Sequence, residues 1–485
     1  MLVFKLKIMK LKNYLYILFA GATILASCKK EFLVETPPTA VPVDLAIATE
    51  NDMADAVNGM YATMRSSNSY GRDIPVLGDI LADNVYISSA NSGRYLAENA
   101  YNYIYNNAEA ADIWNQNYYT IGQANRIINS AVPSSTTSNQ LKGEAYTVRG
   151  LAYLSLVNFF ATPFTVSSTA AGVPIVTAFQ GALTKPARNT VAQVYTRINT
   201  DLDSAFTLMG GTAIALHSTN SYYIAKYVAK AIQARAKLYS GDYAGARDAA
   251  LSVVQNGGYA LVPSTGYAAY WANNTGSNKS ETLFELALNT ATNNGTNGLD
   301  WIYSNVTNAG YGDLLATTNL YNAYSATDIR RTLITDGTRA ANKAQAYLVT
   351  KYSNVRQTDR DDIKIIRYAE VLLTLAEGYA RNDDEVNARL YLNQLVKQRD
   401  PSFAGYTSTG AQLISDILNE RRKELAFEGL RFFDFTRLNL PINRPQTTGS
   451  APYYPTVSIT DFRRILPIPQ AEIDANPNVK QNSGY

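Results

Sequence analysis

Apolar and small residues recurring at helical spacing, in segments joined by short polar turns, constrain this 485-residue chain more than any other feature. Trp114, Tyr118, Ile121, Asn125 and Ile128 fall on one helical face. Pro133-Ser-Ser-Thr-Thr-Ser138 breaks that segment, and a second helix is predicted from about Gln140 to Phe160, apolar nearly all round and therefore buried. The pattern returns in an alanine-rich helix, Tyr223 to Ser240, a turn at Gly241-Asp242, and a further helix carrying Tyr243, Ala246, Ala250 and Val253. It returns once more through Tyr368, Leu372, Leu375 and Tyr379, then Ala388, Leu392 and Leu395.

The turn Gly-Asp-Tyr followed by Ala-x-x-x-Ala resembles tetratricopeptide helix pairs, whose small residues let neighbouring helices approach closely. The pairs are irregularly spaced. The fold expected is mainly α, a tetratricopeptide-like helical-repeat scaffold over about 45–260 and 351–438 with long irregular insertions. Residues 261–350 lack sustained helical period and hold Tyr267, Tyr270, Trp271, Trp301, Tyr303, Tyr311 and Tyr321 among asparagines and glycines. Residues 84–107 are similar, with Tyr86, Asn91, Arg94, Tyr95, Tyr101 and Tyr103, and the tail 439–485 is again irregular. Long irregular segments inside a compact body are usually binding regions or mobile ones.

The chain opens with Lys5, Lys7, Lys10 and Lys12, then a short apolar run from Tyr14 to Ala26, then Leu25-Ala26-Ser27-Cys28. The run is short for a membrane span and fits the apolar region of a signal peptide. The four residues ending in Cys28 match a bacterial lipobox, so residues 1–27 read as a lipoprotein signal peptide and Cys28 as the acylated residue. Each buried methylene of such chains contributes about 0.8 kcal/mol to anchoring. Proline-rich residues 28–44 form an extended tether, and residues 45–485 form the body. The chain has 43 basic and 40 acidic residues; without the leader and its four lysines, 39 face 40 and the net charge is −1. Neither nucleic acid nor an anionic membrane surface is called for as a partner. Cys28 is the single cysteine, so no internal disulfide is available.

The chemistry missing from the sequence narrows the function. The single histidine, His217, sits in a Ser/Thr/Asn-rich stretch without ligand spacing. Common zinc, haem and Cys–His arrangements therefore have no residues to build them, and no cofactor or metal is expected. Phosphate-binding glycine loops, dinucleotide fingerprints and calcium loops are not found. Paired carboxylates for glycoside hydrolysis cannot be judged from spacing, since such pairs converge from distant positions.

One stretch goes further: Asn419-Glu420-Arg421-Arg422-Lys423-Glu424-Leu425-Ala426-Phe427-Glu428-Gly429-Leu430-Arg431-Phe432-Phe433-Asp434-Phe435-Thr436-Arg437. It reads as a helix from about Gln412 ending at Gly429, followed by charges that alternate with aromatics and should pair with one another. It resembles the C-terminal signature of the SusD/RagB family of outer-membrane nutrient-binding lipoproteins, with Phe435 where leucine is usual. Leu466-Pro467-Ile468-Pro469-Gln470 through Gly484-Tyr485, Gly143-Glu144-Ala145 with Val173-Pro174-Ile175, the Trp114 to Asn125 segment and Arg367 to Leu372 resemble further motifs of that family, in order.

The resemblance implies a surface glycan-binding lipoprotein without enzymatic activity. It would capture oligosaccharide and deliver it to a SusC-type TonB-dependent outer-membrane barrel. A peptide-binding role in the same family is the alternative, and a lipid-anchored glycosidase or a structural surface protein is the alternative from another class. Glu428, Arg431 and Asp434 of the signature are expected to be structural, and so is Trp114, because it lies on the apolar stripe. The expected ligand-binding residues are Trp271, Tyr270, Trp301, Tyr303 and Tyr311 from one insertion and Arg94, Tyr95, Asn91 and Tyr86 from the other. Aromatic faces would stack on sugar rings while amide and guanidinium groups read hydroxyls.

Overall fold

The computed structural model describes residues 46–178, 184–211, 216, 220–307, 309–445 and 447–485. The expected leader, Cys28, the tether up to residue 44 and His217 lie outside the described residues. All elements below belong to the unit Thr49–Tyr485.

Helix α1 (Glu50–Arg65) starts at a capping box in which Thr49 and Asp52 each accept the other's amide. After α2 (Asp73–Ile80) and strand β1 (Val85–Ile87), the aromatic stripe forms α3 (Ala108–Ile128). Trp114 is 1% exposed there, packed edge-on against Phe160 at 5.0 Å, and is a core residue. Helix α4 (Thr136–Phe160) begins earlier than its apolar run predicts, because Ser135 and Ser138 form a second capping box. The serines that separate two helices also start the second one.

Helices α5 (Val191–Leu208), α6 (Lys226–Tyr239) and α7 (Tyr243–Asn256) follow, each packed on its predecessor. Asp242 caps α7 through the Gly245 amide at 2.9 Å. Strands β2 (Thr282–Leu286), β3 (Leu314–Ala316), β4 (Ile334–Thr338), β5 (Gln345–Val349) and β6 (Ile363–Arg367) come next. Then α8 (Tyr368–Ala380) packs against α7, α9 (Glu385–Arg399) and α10 (Gly410–Glu424). Ala369, Leu373, Ala376, Ala388, Leu392, Leu395, Leu413 and Ile417 are their common core. The helices thus stack in succession, as a helical-repeat scaffold requires.

The aperiodic segments are not featureless. Strands β1, β3, β5 and β4 form an antiparallel sheet in that order, β2 pairs with β6, and β7 (Ile442–Asn443) pairs with β8 (Thr456–Val457). Strands of two to five residues are too short for alternation to show in the sequence. Residues 351–367, expected within the helical scaffold, are loop and strand.

The family-like stretch also departs from its expected course. Helix α10 stops at Glu424, residues 425–429 form a turn, and a short helix, Arg431–Arg437, follows. Gly429 has φ +74°, and a Cβ there would lie 2.3 Å from the Cα of Pro75. Glycine is needed so that this turn can lie directly on α2.

The charges around the turn are paired and buried. Glu424 accepts from Arg367 and Arg399 at 3.0 Å each, Glu281 accepts from the same two at 2.6 and 2.7 Å, and Glu428 holds Arg367 at 2.6 Å and Lys351 at 2.7 Å. Burial alone would raise the Glu424 carboxyl, but Arg399, Arg367 and Arg330 hold it far below the usual range. Asp434 pairs with Arg437 at 2.8 Å and with Arg421 at 2.9 Å, whereas Arg431 reaches across to Asp83 at 2.8 Å. The signature therefore joins α2, α8, α9, α10 and β6. Among the described residues no helix is long and apolar enough to cross a membrane.

Candidate functional site

The two aromatic insertions meet through a sheet edge. Tyr86 on β1 stands opposite Leu315 on β3, and Ser88 donates its amide to the Asp313 carbonyl at 3.1 Å. The segment leading into β3 is held against the short helix Leu299–Tyr303, with Tyr311 N to Trp301 O at 2.8 Å and Asp313 N to Ile302 O at 3.0 Å. A Cβ on Gly310 would lie 2.2 Å from the Ser304 carbonyl oxygen, so this approach requires glycine. Arg339, almost wholly buried, donates to the carbonyls of Gly312 at 2.9 Å and Tyr311 at 3.1 Å.

On this frame sits a row of half-buried side chains. The guanidinium of Arg94 lies 4.1 Å from the centroid of the Tyr311 ring. The Trp301 ring meets Tyr311 edge-on at 6.1 Å and 72°. Arg360 is 5.4 Å from the Trp301 ring and paired with Asp300 at 2.6 Å. Partly exposed aromatics beside guanidiniums give apolar faces for the C–H surface of a ring and donors for oxygen atoms around it.

Of the nine expected ligand-binding residues, Arg94, Trp301 and Tyr311 come together here. Tyr86 and Asn91 are also half-buried and lie on the same insertion as Arg94. Burial pushes the Tyr86 phenol up, against the pull of the nearby Arg339. Asn91 accepts the Gly93 amide at 2.8 Å and donates to the Ser88 carbonyl at 2.7 Å, which makes it the shaper of its own loop.

The other four are corrected by their burial. Tyr95 is 3% exposed and donates its hydroxyl to Asp73 at 2.5 Å. Tyr303 is fully buried, bonded to Asp79 at 2.8 Å and stacked on Tyr352. Tyr270 and Trp271 are each 4% exposed; Tyr270 hydrogen-bonds Thr282 at 2.7 Å, and Trp271 lies among the buried cations Lys351, Lys364 and Arg367. None of these rings offers a face to a ligand. The sequence did hold a signal: Tyr267, Tyr270 and Trp271 share i, i+3, i+4 spacing on the six-residue helix Tyr267–Ala272. One turn is too short for a period to register.

Arg339 and Arg360 were not anticipated, because nothing local marks a residue brought in from later in the chain. A separate groove of about 430 Å³ opens between α3 and the short helix Gln470–Ala475, lined by Tyr118, Tyr119, Arg126, Lys185 and Glu472 among others. None of the nine expected residues lines it.

Known proteins share this architecture. Residues 248–485 match the family model described as SusD family, and residues 31–237 match a SusD-like model described as starch-binding, associating with the outer membrane. SusD-like protein P2 of Formosa agariphila is 24% identical, over 93% of this chain and 96% of its own. A SusD superfamily protein of Bacteroides thetaiotaomicron is 30% identical, with 90% of this chain and all of that one covered at a TM-score of 0.80. A structure titled as a putative sugar binding protein of Bacteroides vulgatus is 29% identical, covering 91% and 99% at a TM-score of 0.80. With its signature stretch, helical stack and full-length similarity, the chain belongs to the SusD/RagB family.

Proposed function

We propose that this protein captures oligosaccharide at the bacterial outer membrane without altering it and passes it to a SusC-type TonB-dependent barrel. Acyl chains on Cys28 would hold it there, with residues 28–44 as tether. The observation that carries the reading is the half-exposed Trp301–Tyr311 pair, flanked by Arg94 and fixed to a sheet edge by backbone hydrogen bonds. The sugar-binding description of the Bacteroides vulgatus relative and the starch-binding, outer-membrane description of the matched family support it. So does the scarcity of histidine and cysteine, which leaves few catalytic sets to assemble.

Calorimetric titration with the best ligand from a glycan array tests it. Trp301→Ala should cost about 1–3 kcal/mol of binding, as other stacking aromatics do, or roughly tenfold or more in affinity. Reducing ends released at a catalytic rate would overturn the non-enzymatic part of the reading. Full affinity in Trp301→Ala would overturn the site.

A further inference from the structure

We infer that the ligand of this surface is anionic, a glycan bearing carboxylate or sulfate groups, and that Arg94 reads that charge. The inference rests on the carbohydrate-binding reading above and names the class of ligand. Arg94 is half-buried, its guanidinium over the Tyr311 ring, and it has no acidic partner among the described residues. The neighbouring acid is already engaged. Asp313 accepts the Ser92 amide at 3.1 Å together with the Ser92 hydroxyl, and lies 3.6 Å from Arg339.

Position matters as much as charge. The next residue, Tyr95, has φ +57° and is pinned inward by its bond to Asp73, which fixes the backbone that carries Arg94. A guanidinium held over an aromatic ring makes no hydrogen bond to that ring's face, and its N–H donors match two oxygens of a carboxylate or sulfate. A second cation, Arg356, is exposed and donates to the Thr307 carbonyl at 2.6 Å, within the loop that joins Trp301 to Tyr311; it too has no acidic partner among the described residues. Arg360, beside Trp301, already has Asp300, whereas Arg94 and Arg356 keep their charge for a ligand.

The test uses the mature protein on an array of neutral, uronic-acid and sulfated glycans. The tightest ligand is then compared with its carboxyl-reduced or desulfated form, which separates the two sources of charge. Retained glycans should be anionic, and removing the charge should weaken binding about tenfold or more. Arg94→Gln should weaken the charged form by a similar factor and the neutralised form by a clearly smaller one, while Arg94→Lys recovers part of the loss. Should neutral glycans lead, with affinity indifferent to charge but sensitive to Trp301→Ala, the anion inference falls and the glycan reading stands. A charge preference that survives Arg94→Gln overturns the assignment to Arg94. If no glycan is retained at all, both readings fall.

Discussion

Replacing Trp271 by alanine should damage folding rather than binding, and the structure supplies the size of the effect. The indole is 4% exposed and sits 4.1 Å from Lys351 Nζ, 4.7 Å from Lys364 Nζ and 5.1 Å from Arg367 Cζ, measured to the ring. Removing a buried tryptophan opens a cavity that costs about 3–5 kcal/mol. A desolvated cation–π contact adds about 2 kcal/mol. The cations left behind are strained already: burial pushes the Lys351 amine down to about 8, and the Lys364 amine is lowered for the same reason. Against a total stability of about 5–15 kcal/mol, such a loss is a large fraction. Urea denaturation followed by circular dichroism measures it, with Trp301→Ala as the comparison. The half-buried Trp301 should cost about 1 kcal/mol or less, as surface substitutions do. An unchanged midpoint for Trp271→Ala, with collapse of Trp301→Ala, would refute the division between core and site.

Glu424→Gln should destabilise the body by about 3–5 kcal/mol in the same assay, because it removes one carboxylate shared by Arg367, Arg399 and Arg330; a change below 1 kcal/mol would mean the network is dispensable. Burial pushes the Asp79 carboxyl up to about 7 from an ordinary 3.8. The folded state then holds a proton that the unfolded chain releases, so this site's contribution is present at low pH and lost as pH rises toward 7. Asp79→Asn should flatten that decline in midpoints measured between pH 4 and 8, and an unaltered slope would count against it. Cys28→Ser should move the protein from the membrane fraction to the soluble one, and full retention without the barrel partner would defeat the anchor.

What the sequence determined by itself is the set of local features. Helices α3, α4, α7, α8 and α9 were legible because helical burial repeats every three or four residues, and caps such as Asp242 lie beside the helices they start. The Glu420–Arg437 signature was legible for the same reason, as its information is contiguous. The end of α10 was misplaced by a few residues because Gly429 serves the approach of α2, a distant element, rather than a helix terminus. Which aromatics are exposed was beyond the sequence. Trp271 and Trp301 stand in similarly polar, glycine-containing surroundings, yet Lys351, Lys364 and Arg367 close over one ring while the other is left half-open. Only the tertiary structure pairs β1 with β3 and so brings Arg94 onto Tyr311. Burial and charge compensation are sums over neighbours from the whole chain, and no short window of residues contains them.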